Sequence, residues 1–180
     1  MKKEFWDFDE NKNYRTVNIQ NKNYKVIDKY SDYYTAATIL SKIDSIILQM
    51  CIYLKKNYKR YTQQNRVYID CFCDIHPNNY LLSEMQLDTM FEGINKPRDV
   101  HKSDKIGIGK DGKLRSKWRH IFLTLRTNTG QFKTQKDIMW LVIHELAHTM
   151  CNHVQWHDDN HGKDFQNAEK ILYKAYYAVT

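Results

Sequence analysis

An α+β domain, a small mixed sheet packed on helices, is the fold class that this 180-residue sequence predicts. Three observations predict it. Two long stretches, one in each half of the chain, keep a helical apolar period. A short alternating segment at 121–126 is bounded by turn residues. No internal repeat and no low-complexity linker divides the chain, so the length suits one domain with a short extension.

The elements follow in order. Residues 1–34 are polar, charged and Tyr-rich, with a brief alternation around Tyr24, Val26 and Ile27. They are expected to form an N-terminal extension with one strand or hairpin arm, ahead of a domain at 35–180. From about 34 to 61, Ala37, Leu40, Ile43, Ile47, Met50, Cys51 and Leu54 recur at steps of three and four, which predicts an amphipathic helix. Residues 67–75 are rich in β-branched and aromatic side chains and are stopped by His76-Pro77-Asn78-Asn79, which predicts a core strand. Residues 85–114 mix Gly, Pro, Lys and Asp and read as loop, with one short strand around Ile106 and Ile108. A strand is expected at 121–126, turned by Asn128-Thr129-Gly130. Thr134-Gln135-Lys136-Asp137 then has the form of a capping box, and the apolar run from Ile138 through Met150 predicts a helix starting near Gln135. A last helical pattern runs over 161–178 through Phe165, Ala168, Leu172 and Ala175.

Composition narrows the class. With 42% hydrophobic residues the chain is globular rather than disordered. No run approaches the roughly eighteen apolar residues of a membrane span, and Met1 to Glu10 lack an apolar signal core, so an intracellular protein of cytoplasm or nucleus is expected. The four cysteines form no disulfide framework, and reduced thiols follow. Cys71, Cys73 and His76 sketch a metal site, but no fourth ligand lies nearby, so buried structural thiols are the expectation. The net charge of +7 favours acidic partners. The weight of Lys, Asn, Ile and Tyr is what an AT-rich coding genome gives.

The chemistry concentrates at His144-Glu145-Leu146-Ala147-His148. Two histidines four apart on a helix lie on one face, so their imidazoles can converge on one ion at roughly 2.0–2.1 Å from each nitrogen. Zinc accepts such ligands and leaves room for a third protein ligand. Glu145 lies beside the first histidine, where its carboxylate can take a proton from a water, while the metal supplies Lewis acidity toward a carbonyl. The third ligand is open among several groups. His153 is nine positions from His144, about 180° around the helix. A metzincin spacing would need Gly at 151 and His at 154, where Cys151 and Val154 stand. His161, just before the last helix, is favoured, then His157, then Glu169.

These residues resemble the WLM and SprT-like families of zincin metallopeptidases, especially relatives encoded by large nucleocytoplasmic DNA viruses. The resemblance covers 121–172 most strongly: a strand ending in Leu125-Arg126, the helix with His144-Glu145-Leu146-Ala147-His148, and a later His-x-x-x-Phe at His161 and Phe165. It implies a zincin fold, Zn2+ held by His144, His148 and His161, and Glu145 as catalytic base. Two departures stand out: Thr149 to Asn160 is longer than the usual spacing, and Thr124 stands where viral relatives often have Cys. The resemblance further implies a protein or peptide substrate added as a strand to the sheet edge above the metal, with 121–126 as the candidate for that edge. It also implies action on DNA-associated proteins.

Lys102, Lys105, Lys110, Lys113, Arg115, Lys117 and Arg119, with Trp118 among them, form a basic segment able to grip phosphates. A solvated Lys-rich surface is the plainer expectation for it. Two functional classes remain: an active peptidase, and a binding or virion-structural protein that keeps the fold with little or no activity.

Overall fold

The computed structural model describes residues 13–76, 78–86, 92–97, 105–108, 114–116, 119–151 and 161–180. The chain is α+β, as expected. A five-stranded mixed sheet has the order β1-β2-β3-β7-β4, and a separate two-stranded ribbon pairs β5 with β6. Strands β1 (Tyr14–Ile19) and β2 (Lys22–Ile27) form an antiparallel hairpin through the positive-φ residues Gln20 and Asn21. The polar start of the chain thus contributes two strands to the sheet: β2 runs parallel to β3 (Tyr80–Glu84), and Val17, Tyr24 and Val26 enter the main core.

Between β2 and β3 lies a helical crossover of α1 (Tyr33–Lys56), a 3-10 turn (Tyr58–Arg60) and α2 (Gln63–Ile75). By length and composition alone α1 could cross a membrane. Its apolar face, including Ala36, Leu40, Ile43, Ile47, Met50 and Leu54, instead forms the centre of the core. The strand expected at 67–75 is this second helix. Its start is fixed by Thr62, whose Oγ1 accepts from the Asn65 amide at 3.3 Å. Ile69, Phe72 and Cys73 point inward at helical spacing while Val67 is exposed, so period overrode β-propensity. On a helix, residues 71 and 73 are about 200° apart, so Cys71, Cys73 and His76 do not converge on an ion. Cys73 instead lies buried against Cys51, its thiol 4.0 Å from the Cys51 carbonyl oxygen.

The segment 85–114 holds more than the one expected strand. Besides β5 (Lys105–Ile108), whose partner β6 is Leu114–Ser116, it includes β4 (Gly93–Pro97). Strand β7 (Arg119–Leu123) is parallel to β3 on one side and antiparallel to β4 on the other. The expectation that 121–126 forms the sheet edge is therefore wrong: β7 is interior, and β1 and β4 are the edges among the described residues. Past β7, Arg126 is buried, its guanidinium 2.8 Å from Glu84 and from Asp32, between the rings of Tyr30 and Phe132.

Helix α3 (Gln135–Cys151) lies against β4 and β7, on the sheet face that α1 also covers, and α4 (Lys163–Val179) packs on α1 and α3. The cap of α3 is half the expected box. The Asp137 amide donates to Thr134 Oγ1 at 3.2 Å, but the Thr134 hydroxyl turns to the Asp137 carboxylate at 2.6 Å. Of the basic segment, Arg119 is buried, 2% exposed, and so is no part of a solvent-facing cluster. Residues 102–104, 109–113, 117 and 118 lie outside the described residues.

Candidate metal centre

Helix α3 presents His144 and His148 one turn apart on the same face, with ring centroids 5.1 Å apart. The bend before α4 brings in His161, whose ring lies 4.9 Å from that of His144 and 5.3 Å from that of His148. Phe165, on the first turn of α4, is buried beneath all three rings at 4.6–4.9 Å. That packing explains how the later histidine is returned to the helix: the core anchors Phe165, and His161 is carried one turn before it.

One ligand atom from each ring lies within 4.8 Å of the others, and His144 Nε2 is 3.2 Å from His161 Nε2. A tetrahedral ion at roughly 2.05 Å from each nitrogen sets its ligands about 3.3–3.4 Å apart. The imidazole nitrogens are donors zinc accepts, and the His144–His161 pair already stands close to that spacing. His144 is pushed down to about 4, first by burial and then by the neighbouring His161, so its ring is neutral near neutral pH and keeps a lone pair to offer. Its other nitrogen, Nδ1, lies 3.5 Å from the Glu169 carboxylate. Glu169, an alternative third ligand in the sequence, thus faces the opposite side of the His144 ring from His161. His153 and His157 lie outside the described residues.

Glu145 points the other way around the helix, toward the sheet. It is 4% exposed, and burial raises its carboxyl to about 8. The edge strand β4 covers it. Asn95 Nδ2 donates to the Glu145 backbone carbonyl and, at 2.7 Å, to Thr149 Oγ1, tying strand to helix at Glu145. Trp140, one turn before His144, is 55% exposed and stacks on that ring at 5.8 Å. Gly93 and Asn95 were beyond sequence reasoning because their strand was read as loop. Trp140 was legible as the i−4 neighbour of His144.

No protein-family model, curated protein or solved structure matches this chain. The site's own geometry is a three-histidine cluster where α3 meets the start of α4, with the buried Glu145 carboxyl turned toward β4, an edge strand among the described residues.

Proposed function

We propose that this protein is a zinc-dependent peptidase of the WLM/SprT-like kind, acting on protein or peptide substrates. The observation that carries the reading is the convergence of His144, His148 and His161 at the helix that also carries the buried Glu145, adjacent in sequence to His144. A zinc ion held by those imidazoles would supply Lewis acidity toward a carbonyl oxygen and toward a water. The chain's own residues do the rest. His144 and His148 are fixed by a helix, which sets their spacing before any ion binds. Glu145, in its ionised form, is the general base, taking the proton from the attacking water and handing it to the leaving amine. The β4 edge supports an extended substrate, added as a further antiparallel or parallel strand alongside the site. This replaces 121–126 as the substrate-pairing strand. The basic residues among 102–117 remain part of the proposal only as a route to DNA-bound substrates.

Replacing Glu145 with Gln tests the reading. Metal content and fold should be retained, while hydrolysis of an unfolded protein or a DNA-bound protein should fall by about 10²–10⁴-fold. Wild-type protein with one zinc per chain that cleaves none of these, with or without DNA, would put the scaffold reading in place of the peptidase.

A further inference from the structure

Gly93 opens β4, and its backbone lies in ordinary strand conformation; among the described glycines, Gly130 is the one with positive φ. Backbone freedom therefore does not explain a glycine here. Space does. A methyl group at position 93 would stand 2.5 Å from Glu145 Oε1, 3.0 Å from Glu145 Cδ and 2.8 Å from Leu141 Cδ1. A glycine weakens a strand, and in strands it marks a site where something approaches the backbone closely. Here the approaching group is the carboxylate of the proposed base. All three neighbours belong to side-chain ends, so an added methyl would displace the carboxylate rather than break the backbone.

We infer that Gly93 is the positioning residue for Glu145: its missing side chain forms the slot that fixes where the base's carboxylate stands. Asn95 keeps the slot in register. It faces the same side of β4 two residues on, paired opposite Ile121 as Gly93 is opposite Leu123. Through its bonds to the Glu145 carbonyl and Thr149 Oγ1 it holds the strand to the helix at the base itself. The inference rests on the peptidase reading for the word base, but the slot is a contact that can be measured without any activity.

The experiment is a double-mutant cycle of Gly93→Ala and Glu145→Ala, read first by thermal denaturation of the metal-free protein. Gly93→Ala should lower the midpoint by about 2–8 °C when Glu145 is present, the range expected for one overpacked methyl in a chain of this size. The drop should at least halve when Glu145→Ala empties the slot. The general preference of a strand for Ala over Gly cancels in the cycle. Should Gly93→Ala fail to fold, the cycle is run on a Leu141→Ala background, which removes the other clash. With zinc restored, Gly93→Ala should keep one metal per chain and lose about 10²-fold in kcat with KM little changed, the effect of misplacing a reacting group by about 1 Å. An additive cycle overturns the inference, as does a coupled cycle with unchanged kcat. A coupled cycle in a zinc-loaded wild type that hydrolyses nothing upholds the slot and defeats the peptidase reading instead.

Discussion

Two helices that pack on each other, α2 and α3, each carry a histidine whose proton affinity is depressed by burial, and the two rings have opposite fates. His76, which ends α2, is 1% exposed and pushed down to about 3 by burial and by the nearby Arg119 and Lys22. Its ring sits between Phe72 at 4.8 Å and Tyr80 at 4.3 Å, and neither ring nitrogen has a hydrogen-bond partner among the described residues. His144 is pushed down to about 4 by the same principal cause, yet its nitrogens face His161 on one side and Glu169 on the other. Both rings are neutral near neutral pH. What separates a candidate ligand from a core aromatic is where the lone pairs point, and depression of the pKa alone distinguishes nothing.

The largest effect expected from that contrast is on metal affinity. If a binding free energy of about 10 kcal/mol is shared among three ligands, His161→Ala should weaken zinc binding by roughly 10²–10³-fold. His76→Ala should leave it unchanged. Chelator competition measures both, and full zinc retention in His161→Ala would remove His161 from the ligand set.

A smaller effect tests the other side of the His144 ring. A carboxylate on the second nitrogen of a ligating imidazole selects the tautomer and holds the ring, and its loss typically costs 10–100-fold in metal affinity. Glu169→Gln should fall in that range with the number of protein ligands unchanged in the cobalt absorption spectrum. A changed ligand field would make Glu169 a ligand, and unchanged affinity would make it a bystander.

The same contrast explains what was legible in the sequence. Helix α3 was readable because capping residues, apolar period and the His-x-x-x-His spacing all agree over one stretch. His161 was readable through Phe165, an apolar residue that had to reach the core. Helix α2 looks like a strand because Val67, Tyr68, Ile69 and Phe72 have strand-like composition; the signs against a strand are Thr62 and which of these residues face inward. The short strand β3 has no clear local signal, its five residues including Ser83 and Glu84, whose burial is satisfied by His120 of β7 and by Arg126 just past it, both far away in sequence. Strand β4 was beyond reach for a different reason. Its Gly-Ile-Asn-Lys-Pro has one apolar side chain, and its Gly and Asn are explained by contacts with Glu145, fifty residues away. The histidine cluster is marked by local sequence signals, whereas the surroundings of Glu145 are long-range.

The smallest effect concerns stability at His76. An exposed histidine in the unfolded chain titrates near 6.5, while folded His76 titrates at about 3. Below pH 6.5 the unfolded state therefore binds a proton that the folded state refuses, and stability is lost as pH falls until the folded value is reached. One such proton amounts to about 1.4 kcal/mol per pH unit, or about 2 kcal/mol between pH 6.5 and 5. His76→Phe keeps a ring between Phe72 and Tyr80, removes two buried nitrogens without partners among the described residues, and cannot titrate. It should match or exceed wild type in stability at pH 7, and its advantage should widen steadily on acidification. Every other ionisable group is common to both proteins, so the difference isolates position 76. Denaturant melts of metal-free protein at pH 7, 6 and 5 give that difference directly, and a constant gap across the three would mean that folded His76 takes up its proton as readily as the unfolded chain does.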